Sequence, residues 1–251
     1  LGHLTLKQAK DTGYINVPRE AFTGQLGVEK IYDGVLRGTA GKKIIEVDAT
    51  GRVIRDIGEQ RFVTGDDIRL TLDMNLQAVA ENELIGKVGA VVAIDTNSGE
   101  ILVLASAPTF DPNLFAHGIN YEDWQDLVNN PNNPFLNRAI QSQYPPGSTF
   151  KIITTIAGLE ERVITEDSRF DCRGSINIGR IFKCWKKEGH GNTDLYRSVV
   201  ESCDVFFYEV GKRLGVDALA QYASEFGLGK PVGIELEGEK PGLVPSTAWK
   251  L

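Results

Sequence analysis

Two periodicities divide the chain. Up to about Leu84, short apolar segments such as residues 43–47 and 68–72 alternate with glycine- and charge-rich stretches and with turn signals such as Ala49-Thr50-Gly51-Arg52. Runs of that length, bounded in that way, predict a small strand-rich module. Residues 88–94 and 101–105 are near-continuous apolar strands, and Asp95-Thr96-Asn97-Ser98-Gly99-Glu100 between them has the composition of a hairpin turn. Because both of their faces are apolar, the two strands are expected in the middle of a covered sheet. A loop rich in Pro and Asn spans residues 108–134, with a short helix expected around 121–128. The period then becomes helical. Residues 148–160 place Ile152, Ile153, Ile156 and Leu159 at helical spacing directly after the helix-averse Tyr144-Pro145-Pro146-Gly147, which predicts a helix starting at Ser148. Residues 194–214 and 216–226 predict further helices, and residues 202–204 also read as a helix break with Ser or Asp capping the helix that follows. The fold class expected is α/β (α+β): a small module over residues 1–85, then a sheet with packed helices over 86–251.

Composition narrows the function. The chain has 251 residues, of which 41% are hydrophobic and 24% charged. That is enough to bury a substantial core without cross-links, so a disulfide-dense miniprotein is excluded. The net charge of -7 opposes attraction to phosphate backbones, and nucleic acid is not an expected partner. The longest apolar runs fall well short of the roughly 18 to 20 residues that cross a bilayer, and no signal peptide is recognisable. A chain that begins at Leu1 and stops in mid-pattern at Trp249-Lys250-Leu251 reads as a piece of something larger.

Of the ten serines, only Ser148 has a lysine three positions on, Lys151. On a helix the two side chains lie one turn apart on one face, within reach of each other. An alcohol becomes a useful nucleophile when a base takes its proton, and a lysine in apolar surroundings can be that base; Phe150, Ile152 and Ile153 are placed to supply those surroundings. Such a spacing arises about once by chance in a chain of this size, and a solvent-facing helix start explains it equally well. Amides exposed at the helix start would help to bind an oxyanion.

The surrounding residues make the pattern specific. Tyr144-Pro145-Pro146-Gly147-Ser148-Thr149-Phe150-Lys151 resembles the active-site segment of the penicillin-binding proteins, in which Ser-x-x-Lys carries the nucleophile. Residues 106–115 (Ser106 to Phe115), Asn137-Arg138-Ala139, Cys184-Trp185-Lys186-Lys187 with Gly189-His190-Gly191, and 202–208 (Ser202 to Tyr208) are similar to the class B enzymes. Among these the closest is the elongation-specific subgroup, penicillin-binding protein 2. Leu26-Gly27-Val28-Glu29-Lys30 and Leu36-Arg37-Gly38-Thr39-Ala40-Gly41 resemble its non-catalytic, dimerisation-like pedestal. The resemblance implies a peptidoglycan D,D-transpeptidase. Its Ser148 would attack the D-Ala-D-Ala carbonyl of a stem peptide, and β-lactams would acylate the same serine. It also implies Lys151 as proton acceptor, Ser202 as a relay towards the leaving amine, and Asp204, in a Ser-x-Asn motif with Asp for Asn, as the group that orients Lys151. A place on the periplasmic side of the bacterial inner membrane, with a membrane glycosyltransferase as partner, is implied as well. The family's third motif, Lys-Thr-Gly or Lys-Ser-Gly, does not occur in these residues; with every upstream segment intact, truncation or disorder is the expected reason rather than divergence. Two alternatives remain. A serine β-lactamase would place Glu188 and Asn192 after the second motif, whereas they precede it, and a non-catalytic scaffold would leave Ser148 idle.

All three cysteines, Cys172, Cys184 and Cys203, fall near His190. Three thiolates and one imidazole make a familiar tetrahedral zinc set, although the spacing matches no standard zinc finger. Some members of the resembling family hold zinc with acidic residues, His and Cys at these positions; here Cys172 and Cys184 would replace the acidic ligands. Such a zinc would be structural, stapling residues 170–191 to the segment of Ser202 and Asp204. The competing reading is a Cys172–Cys184 disulfide with Cys203 as a core residue. His3 and His117 lack such company and are expected at the surface.

Overall fold

A computed structural model describes residues 2, 3, 8, 17, 22–116 and 118–250. His117 and the side chain of His3 lie outside the described residues. The chain separates into two compact units, Leu1–Ser142 with Ile234–Glu239, and Gln143–Gly233 with Lys240–Leu251.

In the first unit, Gly2–His3 (β1) pairs antiparallel with Phe22–Thr23 (β2), followed by two single-turn helices, Gly27–Ile31 (α1) and Asp33–Arg37 (α2). Buried Asp33 ties them together: its Oδ1 accepts the Gly24 N–H at 2.8 Å and its Oδ2 pairs with Arg37 at 3.2 Å. The predicted turn at 49–52 joins Lys42–Val47 (β3) to Val53–Gln60 (β4), with Asp48 Oδ1 accepting the amides of Thr50 and Arg52. The expected strand over 68–72 is absent. Thr71 and Asp73 touch the next hairpin through one hydroxyl and one amide, and Asp73 then caps the helix Met74–Leu84 (α3), so the chain leaves before a ladder can form.

Gly89–Ile94 (β5) and Ile101–Ala107 (β6) form the expected antiparallel hairpin. Ala80 of α3 packs on Val103 and Ala105, with Val91 and Ala93 at the margin. The expectation of a sheet covered on both faces is corrected: Val92 and Ile94, on the opposite side, are 45% and 54% exposed. Among the described residues one helix covers one side of the hairpin, and the other side receives the single turn Arg138–Gln141 (α5), anchored where Ser106 Oγ accepts the Arg138 N–H at 2.9 Å. The helix expected around 121–128 is present as Tyr121–Asn129 (α4).

The second unit holds the helical part. Phe150–Glu160 (α6) is followed by two antiparallel strand pairs, Arg169–Cys172 (β7) with Gly191–Asp194 (β10), and Ser175–Ile178 (β8) with Arg180–Lys183 (β9). The helix expected over 194–214 is two helices, Leu195–Val200 (α7) and Asp204–Leu214 (α8), and Val216–Glu225 (α9) matches the last prediction closely. The break falls at Ser202, whose φ of 51° is left-handed and cannot continue a helix. Phe206, Phe207, Val205 and Val210 of α8 form the core with Ile164, Leu195 and the three cysteines. Close approach of α6 to this core requires Gly158, because a Cβ there would lie 2.9 Å from the Cγ1 atoms of both Ile164 and Val210.

Candidate active site

The Pro145-Pro146-Gly147 run delays the helix. Gly147–Thr149 forms a tight 3-10 turn, fixed by Thr149 Oγ1 donating to the Pro146 carbonyl at 2.6 Å, and α6 begins at Phe150 rather than Ser148. Ser148 is therefore held exposed on the turn, and Lys151 lies in the first turn of α6. The α7–α8 break brings Ser202 and Asp204 to the same place.

Four expected residues converge. Ser148 Oγ and Ser202 Oγ are hydrogen-bonded at 2.9 Å. The Lys151 Nζ donates to Ser202 Oγ at 2.8 Å, to the Ser202 carbonyl at 2.8 Å and to Asp204 Oδ1 at 2.7 Å. Among the described residues no hydrogen bond joins Ser148 directly to Lys151; Ser202 bridges them. This differs from a direct Ser–Lys contact, and it follows from the left-handed backbone at Ser202, which turns that hydroxyl between the other two groups. The surroundings expected of Lys151 are also different. Ile152 is exposed and Ile153 points into the core, since residues one and two positions on lie on other sides of a helix. The amine, 14% exposed, is enclosed instead by Ser202, Asp204 and the Phe207 ring, whose centroid is 5.4 Å away.

Trp185 was not singled out by its chemistry in the sequence. Its backbone N–H donates to Asp204 Oδ2 at 3.0 Å, and its indole Nε1 donates to the carbonyls of Glu201 and Ser202 at 3.0 and 3.1 Å. The ring itself is 62% exposed. Asp204 thus holds the Lys151 amine with one oxygen and the Trp185 backbone with the other.

Directly behind lies the cysteine cluster. The β7–β10 register sets Cys172 opposite Gly191, next to His190, and the β8–β9 hairpin delivers Cys184 beside Gly174, whose carbonyl accepts the Cys184 N–H at 2.9 Å. Gly174 and Gly189 make this possible. Both have positive φ, and a Cβ on either would fall within 2.0 Å of a carbonyl oxygen, of Lys187 and Cys172 respectively. The Sγ atoms of Cys172, Cys184 and Cys203 and a ring nitrogen of His190 all lie within 4.8 Å of one another, and all four residues are buried. All three thiols are free. His190 Nδ1 is 3.6 Å from Cys172 Sγ and 3.5 Å from Cys184 Sγ. Tetrahedral zinc, with Zn–S near 2.3 Å and Zn–N near 2.05 Å, requires a separation of about 3.6 Å, so the donors fit that ion. Burial pushes the Cys203 thiol up to about 12, against a backbone N–H from Phe206. Burial also opposes the Cys184 thiolate, but amides of Lys186, Asp204 and Val205 outweigh it and hold that thiol below its ordinary value.

The chain is similar to known proteins along most of its length. Residues 89–251 match the penicillin-binding protein transpeptidase domain, and residues 2–70 match the penicillin-binding protein dimerisation domain. The chain is 39% identical over 231 residues to the peptidoglycan D,D-transpeptidase MrdA of Acinetobacter baumannii, covering 91% of this chain and 34% of that protein. It is 41% identical over 230 residues to the Escherichia coli K12 protein of the same name, covering 90% of this chain and 36% of that one. Among solved structures, a complex between penicillin-binding protein 2 and MreC from Helicobacter pylori superposes with a TM-score of 0.86 at 35% identity, over 100% of this chain and 46% of that one. The chain spans about a third of the length of these curated relatives.

Proposed function

The chain belongs to the penicillin-binding protein transpeptidase family, and on that premise we propose that the protein carrying it is a serine-type peptidoglycan D,D-transpeptidase of cell-wall elongation. The observation that carries the reading is the continuous hydrogen-bonded path Ser148–Ser202–Lys151–Asp204. Once the Lys151 amine turns a lone pair, in place of an N–H, towards Ser202, Ser148 Oγ attacks the carbonyl carbon of the penultimate D-Ala of a stem peptide while its proton passes to Ser202 and the Ser202 proton passes to the Lys151 amine. The C–N bond then breaks, the departing D-Ala amine takes a proton back along the same path, and an ester to Ser148 remains. An amine from a second stem peptide attacks that ester and frees Ser148 as the cross-link forms. Throughout, Asp204 keeps the Lys151 amine aimed at Ser202. A β-lactam opens on the same serine and forms an adduct that no acceptor amine relieves.

In this reading residues 1–85 are the pedestal and 86–251 belong to the transpeptidase domain. The protein works on the periplasmic side of the inner membrane beside a membrane glycosyltransferase; a similar chain in a peptidoglycan synthase complex that coordinates polymerization and crosslinking, and the H. pylori relative in complex with MreC, support a place in such an assembly. A zinc ion, when bound, would be held by Cys172, Cys184, His190 and Cys203; it would supply a structural cross-link and no acyl-transfer chemistry.

Labelling of the full-length protein with a fluorescent penicillin tests the function. A long-lived adduct lost in Ser148→Ala supports the transpeptidase; rapid turnover of the adduct indicates a β-lactamase; no adduct indicates a scaffold. Metal analysis with a thiol count tests the cluster: one zinc per chain supports it, and no metal with a single free thiol favours the Cys172–Cys184 disulfide.

A further inference from the structure

His190 is the one member of the cluster with a second polar atom to satisfy. Its side chain is wholly buried, Nδ1 faces the sulfurs of Cys172 and Cys184, and Nε2 has no hydrogen-bond partner. A buried imidazole N–H without an acceptor is costly, and the ring nitrogen that does not bind metal ordinarily donates to a carboxylate or carbonyl. The carboxylate facing Nε2 is Glu201, whose Oε2 lies 3.7 Å away. Its other oxygen is held by Arg197 Nε at 2.7 Å, one helical turn back on α7. Glu201 also adjoins the proton relay: its carbonyl receives the Trp185 indole N–H, and the next residue is Ser202.

We infer that Glu201 is the positioning residue of the cluster, taking the Nε2–H of His190 so that Nδ1 presents its lone pair to the ion and the ring is locked to the segment bearing Ser202. The structure supplies both halves: an orphaned, fully buried ring nitrogen, and a carboxylate aimed at it from the last residue before the nucleophile relay. This rests on the zinc reading of the cluster.

The test is zinc affinity, measured on the full-length protein by competition with a chromophoric chelator. Glu201→Gln keeps the shape and removes the charge, and weakens zinc about 10- to 100-fold. Glu201→Asp keeps the charge but withdraws it by one methylene, and gives a smaller loss. Arg197→Ala is the control for a merely structural role: it breaks the same helix-end ion pair yet leaves the carboxylate facing His190, so zinc affinity stays within about threefold of wild type. Cobalt substitution adds a second readout, in which Glu201→Gln retains tetrahedral thiolate bands but fills at higher cobalt concentration. Unchanged zinc affinity in both Glu201 variants, or equal losses in Glu201→Gln and Arg197→Ala, overturns the inference while leaving the zinc site standing. A wild-type protein that takes up no zinc overturns the zinc reading itself, and this inference with it.

Discussion

Replacing Ser202 by Ala and by Gly separates the two jobs of that residue. Both substitutions remove the hydroxyl that lies 2.9 Å from Ser148 Oγ and 2.8 Å from Lys151 Nζ, so both break the proton path. A positioned proton-transfer group contributes about 10²- to 10⁴-fold, which at 1.36 kcal/mol per decade is roughly 2.7 to 5.5 kcal/mol of barrier. The backbone effect is smaller and divides the two variants. At φ 51° an L-residue carries about 1 to 2 kcal/mol of left-handed strain that Gly escapes, while Gly gives back about 0.5 to 1 kcal/mol as unfolded-state entropy. Ser202→Gly should therefore be about 0.5 to 1 kcal/mol more stable than Ser202→Ala, or about 1 to 4 °C in Tm for a domain of this size. The assays are the second-order rate of labelling by fluorescent penicillin on the full-length protein, quenched over time, and scanning calorimetry. Equal, large losses of labelling with unequal Tm values are expected. Labelling by both variants within about threefold of wild type refutes the relay, and a Gly variant less stable than the Ala variant refutes the strain argument.

Asp204→Asn should slow labelling at least about tenfold and lower stability by about 1 to 3 kcal/mol, since two donors converge on the carboxylate and an amide can accept only one of them; chemical denaturation and labelling rates check this. Gly158→Ala forces a Cβ against Ile164 and Val210; overpacking of about 1 to 3 kcal/mol outweighs a helix-propensity gain of about 1 kcal/mol, so Tm falls, and a rise would contradict the packing. Asp217 accepts the Thr247 hydroxyl at 2.6 Å and its N–H at 2.8 Å, which hold its carboxyl below the usual carboxylate range. A depressed carboxyl stabilises at higher pH and loses that contribution as pH falls through its folded pKa. Pepsin should therefore cut residues 240–250 increasingly below about pH 4, and Asp217→Ala should expose the same segment to proteases at neutral pH.

The chemistry was more legible in the sequence than the wiring. Ser148, Lys151, Ser202 and Asp204 can be grouped from their types and order and do converge, and the three thiols grouped with His190 do lie within 4.8 Å of one another and of its ring nitrogen. What the letters do not carry is backbone direction. A left-handed Ser202 is written like any other serine, so its place between Ser148 and Lys151 goes unread, although a helix break at residues 202–204 is one of the two readings those residues allow. Trp185 and Glu201 act through a main-chain amide, main-chain carbonyls and a buried ring nitrogen, none of which has a side-chain signature. The missed helix α3 had a usable sign, Asp73 at its N-cap, but Leu76 and Val79 stay exposed, so no apolar stripe announces it. The β5–β6 hairpin reads as doubly covered because its outer residues are as apolar as its inner ones.

In the run Glu201-Ser202-Cys203-Asp204-Val205, Cys203 and Val205 are buried in the core while Glu201, Ser202 and Asp204 are only partly exposed. If the protein is the transpeptidase proposed above, such a stretch offers a cell under β-lactam selection almost no neutral substitutions: a change that discourages the drug there also disturbs turnover of the natural substrate or the folded core. Heritable tolerance should accumulate at exposed neighbours such as Trp185, whose backbone is committed but whose ring remains open to exchange.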